Sequence, residues 1–149
     1  MTQSITQLPH TRVITGAAAE QELHAMGLTP SNLTRPCVEG LQSAVISYSS
    51  FEPVIAFGIS IWSKIVGALR KQLNEEDWKH HDIANAPRSV SPDGSMAIAA
   101  VGGDSQTAHA NGNPRNARLK GPRFANEIEN NAAKSSAPRY TQCRLNLGP

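Results

Sequence analysis

The sequence predicts an α+β fold on three observations. Apolar residues recur at helical spacing from Pro53 to Leu73, a Pro92-Asp93-Gly94 turn sits between two short β-forming runs, and the length and composition fit one modest core. The chain has 149 residues, 39% of them apolar, which suits a single domain. The expected architecture is three to four helices packed on a small antiparallel sheet containing an 88–101 hairpin. Residues 1–134 are expected to form the domain, with a loose arm at 1–14 and a C-terminal tail at 135–149.

Taken in order, a first helix is expected from Ala17 to Met26, with Gly27 as its stop signal. Pro30 and Pro36 punctuate the next stretch, so the second helix is placed from Val38 to Tyr48, with Leu41, Val45 and Tyr48 sharing a face. In the third helix Ile55, Ile59, Trp62, Val66, Leu69 and Leu73 fall at alternating steps of four and three. Val54, Ile61 and Ile65 widen that stripe, so much of this helix is expected to be buried. Its apolar run is too short, and Lys64 too central, for a membrane span.

Asn74-Glu75-Glu76-Asp77 ends the helix, and Trp78 to Ile83 reads as a strand or irregular segment. Proline pre-sets φ, aspartate caps and glycine supplies positive φ in the turn that joins Arg88-Ser89-Val90 to Ser95–Val101. Met96 to Val101 is apolar on both faces, as expected of a central strand. Residues 102–121 read as a long loop, and Pro122 opens a last helix to about Lys134, with Phe124, Ile128 and Ala132 on one face.

Charge is unevenly distributed. Residues 1–104 hold seven Lys/Arg and ten Asp/Glu, a net of −3, while residues 105–149 hold seven and two, a net of +5. A basic end on a faintly acidic body points to an acidic partner, either nucleic acid or an acidic protein surface. Aromatic residues are nearly absent there, which argues against a base-stacking platform. Cys37 and Cys143 are far apart and no CxxC occurs. The N-terminus lacks the charged and apolar regions of a signal peptide, so a cytoplasmic location with free thiols is expected.

No constellation of catalytic residues stands out. Gly102-Gly103-Asp104 follows the apolar strand, where backbone N–H groups and a projecting carboxylate would suit a ligand or anion. It lacks the Gly-Lys-Ser/Thr of a P-loop and the GxGxxG of a dinucleotide site. Arg115, Arg118, Lys120 and Arg123 lie just before and at a helix N-terminus, where cations and the helix dipole both favour an anion. His80, His81 and Asp82 are adjacent, and adjacent strand residues point to opposite faces, so no metal site is expected. No cofactor is expected either.

The segment from Trp62 through Asn126 resembles a family of small bacterial and prophage proteins with no established activity. The residues that carry the resemblance are Val66-Gly67-Ala68-Leu69-Arg70, Leu73, Trp78, Asn85, Val90-Ser91-Pro92-Asp93-Gly94, Ala97-Ile98-Ala99, Gly103-Asp104, Thr107, Lys120-Gly121-Pro122 and Asn126. The family pattern continues after Gly-Asp with an acidic residue and Thr-Gly, whereas Ser105-Gln106-Thr107-Ala108 stands here. The resemblance implies a mobile-element context, in which a small inhibitor of host defence such as an anti-CRISPR is one role.

The leading expectation is therefore a non-enzymatic binding protein whose Arg115–Arg123 segment engages nucleic acid or a nucleic-acid-handling complex. Two alternatives stand beside it: a small nucleotide- or anion-binding enzyme using Gly102, Gly103 and Asp104, and a homo-oligomer joined through the apolar face of helix 53–73.

Overall fold

The computed structural model describes residues 12–83, 86–107, 109, 111, 112, 122, 126, 129, 130 and 141–143. Its elements run β1 (Arg12–Ile14), α1 (Gly16–Ala25), α2 (Pro30–Ser47), α3 (Val54–Asn74), β2 (Lys79–Ile83), β3 (Ala86–Val90), β4 (Ala97–Ile98) and β5 (Thr141–Cys143). Among the described residues, helices α1 to α3 and an antiparallel sheet of order β2-β3-β4 make this an α+β fold. Separately, β1 pairs in parallel with β5, Arg12 opposite Thr141.

Two helix ends are closed by the same device. After α1, Gly27 takes a φ of 72°, the Leu28 N–H donates to the Leu23 carbonyl at 2.9 Å, and the Gly27 N–H donates to the His24 carbonyl at 2.9 Å. After α3, Asp77 takes a φ of 63°, the Trp78 N–H donates to the Leu73 carbonyl at 3.0 Å, and the Asp77 N–H donates to the Asn74 carbonyl at 3.2 Å. Both are Schellman closures, in which the residue just past the helix folds back on its last turn. The consequence is the core itself: Leu23 with Leu28, and Leu73 with Trp78, are four of its five buried members, and Leu69 is the fifth. Met26, Leu33, Met96, Ile98 and Ala100 pack around them.

The second helix starts eight residues earlier than the prolines imply. Thr29 caps it: its hydroxyl accepts from the Asn32 N–H at 3.3 Å, while Asn32 Oδ1 accepts from the Thr29 N–H at 2.7 Å. Pro30 occupies the first turn, where its missing N–H costs nothing. Pro36 lies within the helix and removes one backbone donor, but its ring is fully buried and serves as packing surface. The buried face of α2 is Asn32, Pro36, Gly40 and Ala44, spaced by four. Leu41, Val45 and Tyr48 do share a face, and that face is exposed.

Small residues are what α3 requires of α2. A Cβ at Gly40 would lie 2.5 Å from the Ile65 nitrogen and 2.6 Å from its Cα, so the two backbones touch there. Near the connector, the Tyr48 and Phe57 rings meet with centroids 4.8 Å apart. Eight residues forward on α2 thus match eight back on α3, which fixes one antiparallel register along the hairpin.

The sheet departs from expectation in one respect. β4 is a two-residue edge strand and β3 is central, with Ser89 paired to Ile98 on one side and His80 on the other. From Met96 to Val101 the run alternates between half-buried and exposed residues. The outward positions are Ala97, Ala99 and Val101, so an apolar run reads as two-faced while covering only one. The Pro-Asp-Gly turn forms as its chemistry requires, with Gly94 at a φ of 71° and the Ser91 N–H donating to the Met96 carbonyl at 2.9 Å. Of the expected last helix, Pro122, Asn126, Glu129 and Asn130 are described and helical; the rest of 122–134, including Phe124, Ile128 and Ala132, lies outside the described residues.

Candidate binding surface

The expected burial of α3 holds only for its second half. Leu69 is 8% exposed and Leu73 is 0% exposed, but Ile55 and Ile59 on the same stripe are 65% and 59% exposed. Trp62 marks the changeover, its indole N–H donating to the Ala100 carbonyl at 3.1 Å. The segment that follows β4 makes this contact, and beyond it the stripe stands more than half in water. On α2, Val38, Leu41, Val45 and Tyr48 are also exposed, and the register of the hairpin sets Val45 and Tyr48 opposite this uncovered half.

The connector completes the surface. Phe51 is 97% exposed and Val54 is 88% exposed, while Ile46 on the last turn of α2 is 84% exposed. The Ser49 hydroxyl accepts from the Phe51 N–H at 3.3 Å and the Ser49 carbonyl accepts from the Glu52 N–H at 3.0 Å, which holds the Phe51 ring outward on a fixed turn. Pro53 then leads directly into α3. Between Arg35 and Lys64 the chain carries two charges, Glu39 and Glu52, and no cation. The result is a helical hairpin whose closed end is apolar, nearly uncharged and in water.

The residues singled out from the sequence fall elsewhere. Gly102 and Gly103 are exposed after β4. A Cβ at Gly103 would run into the Thr107 side chain, so glycine there serves the close packing of the loop on itself. Asp104 Oδ1 accepts from the Gln106 N–H at 3.1 Å and its carbonyl accepts from the Thr107 N–H at 3.0 Å. Its carboxylate closes a turn. Arg115, Arg118, Lys120 and Arg123 lie outside the described residues.

Two other acids are also occupied locally. Asp93 Oδ1 accepts from the Ser91 hydroxyl at 2.6 Å and the Ser95 N–H at 3.0 Å, and these bonds hold its carboxyl at a pKa of about 2. The Arg70 guanidinium donates to Asp82 and lowers the Asp82 pKa, with a smaller contribution in the same direction from nearby His80. His80 and His81 are exposed on opposite faces of β2. Among the described residues no three His, Cys, Asp or Glu side chains gather as a metal site would need. No helix of the described residues is long and apolar enough to cross a membrane.

The sequence offers the apolar face of helix 53–73 as an oligomer contact, but it does not single out the exposed α2 residues or the Phe51 connector. The connector's signal was present: Phe51-Glu52-Pro53 puts a large apolar residue into a turn, and turns lie at the surface. Comparison with family models, with curated proteins and with solved structures returns no match for this chain.

Proposed function

We propose that this protein works by binding another macromolecule through the apolar end of the α2–α3 hairpin, and that it is not a catalyst. One observation carries the reading: Phe51, Val54, Ile55 and Ile59 stand in water on a hairpin whose register is fixed by backbone contact. Monomeric proteins rarely expose contiguous apolar patches beyond roughly 300–600 Å² without using them. Taking about 150–250 Å² for each large aromatic side chain and somewhat less for each aliphatic, the exposed residues of the two helices and connector present on the order of 1,000 Å². Photo-cross-linking tests this directly. A benzophenone amino acid at Phe51 is expected to give protein adducts in the expressing cell, and the same group at Lys71 is not. Absence of adducts at Phe51 would sink the reading.

A second reading is favoured by the charge split, the net +5 of residues 105–149. Here Arg115, Arg118, Lys120 and Arg123 engage an acidic protein or nucleic acid. A variant with Arg118, Lys120 and Arg123 changed to Glu is then expected to lose binding to a DNA probe, and rising salt to weaken the wild type. Unchanged binding by that variant would remove this contact.

A further inference from the structure

Resting on the first of these readings, we propose that the occupant of the apolar hairpin end is a second copy of the same chain, joined by a two-fold contact between the two α2–α3 hairpins.

The area is what such a contact needs. A stable interface takes about 800 Å² from each partner, and the roughly 1,000 Å² offered by the exposed hairpin residues is of that order. The geometry fits as well. Two antiparallel helices with an uncovered apolar side are half of a four-helix arrangement, and a second hairpin supplies the missing half. A two-fold contact also requires a patch to complement itself. A patch of aliphatic and aromatic side chains meets that condition without any pairing of opposite charges.

Charge argues against the other occupants. A helix that lies on an anionic membrane presents Lys or Arg along its polar margin, yet no cation stands between Arg35 and Lys64. The two charges that do occur there, Glu39 and Glu52, would be repelled by such a surface. An acidic protein partner is disfavoured for the same reason. Self-association asks only that these two carboxylates stay at the rim, and both are exposed.

Sedimentation of the full chain from about 1 to 100 µM tests the proposal, since mass action makes association concentration-dependent. The wild type is expected to shift to a dimer across this range. A Phe51→Glu, Ile59→Glu double variant is expected to remain monomeric with an unchanged far-ultraviolet circular dichroism spectrum. Ile59→Ala, a milder change, is expected to move the dimer midpoint to higher concentration by about tenfold or more, because a two-fold contact loses the same methyl groups from both copies. A wild type that stays monomeric throughout overturns the proposal, as does a double variant that still dimerises. Binding of the monomer to phosphatidylcholine–phosphatidylserine vesicles also overturns it. If the wild type is monomeric while the benzophenone at Phe51 captures a different protein, the dimer fails and the binding function stands.

Discussion

The two halves of α3 carry the same stripe into opposite environments. In the second half, Leu69 and Leu73 meet Trp78, Leu23 and Leu28 and are removed from water. In the first half, Ile55 and Ile59 repeat the spacing with more than half of each residue in water. Periodicity is a property of one helix, whereas burial is a property of what lies opposite it. The Schellman closure at Asp77 returns Trp78 onto the second half, and the β3–β4 hairpin reaches only as far as Trp62. The difference between the halves is therefore a difference in supply of partners, and the two should respond to substitution in different ways.

The largest contrast is between Leu73→Ala and Ile59→Ala. Truncating Leu73, fully buried, is expected to cost about 2–5 kcal/mol because the site loses its transfer energy and retains a cavity. Truncating Ile59 in the dilute monomer is expected to change stability by no more than about 0.5 kcal/mol. Urea denaturation at sub-micromolar protein measures both. Equal losses at the two positions would show that the halves are packed alike in solution and would break the comparison.

Gly40 sharpens it from the α2 side. In Gly40→Ala the new methyl group meets Ile65 backbone that cannot yield without separating the helices. The expected loss is about 1–3 kcal/mol, despite a gain of up to about 1 kcal/mol in helix propensity. Gly58→Ala, in the exposed half of α3 with open space around it, is expected to show that gain alone. Thermal melts of the two variants should move in opposite directions. A stabilised Gly40→Ala would mean that the helices stand farther apart than their register implies.

Most of the fold was legible in the sequence because local chemistry dictates it. Gly27 as a stop, the Pro-Asp-Gly turn and the 3.6-residue repeat of α3 each depend on a few neighbouring residues. What failed depended on distant ones. Pro36 reads in sequence as punctuation ahead of the helix, yet it is tolerated within it because its ring packs in the interior. Met96–Val101 was read as a central strand because alanine does not announce which way it faces. The candidate surface was hardest to see, since an apolar stripe looks the same whether or not anything covers it. Only the coordinates distinguish Ile59 from Leu69. The basic residues Arg115 to Arg123 fall outside the described residues and gain no structural argument beyond their charge.

Asp77 offers the smallest and most local test, because the buried half of α3 depends on the reversal it makes. An L-residue in the left-handed region is strained by its Cβ, and aspartate tolerates that region better than most. Glycine has no Cβ to strain but gives up more freedom on folding. In Asp77→Gly the first effect should outweigh the second, for a net gain of a few tenths to about 1 kcal/mol. Asp77→Val, β-branched and without the polar side chain, should lose stability at the same φ of 63°. If Trp78 is held over Leu73 by this closure, protection of amide hydrogens against exchange should rise in the first variant and fall in the second around residues 69–78. The first half of α3, which draws nothing from that closure, should keep its exchange rates in both. A parallel change at Ile55 and Ile59 would show that the helix responds as one unit, and that its exposed half is stabilised by the same core.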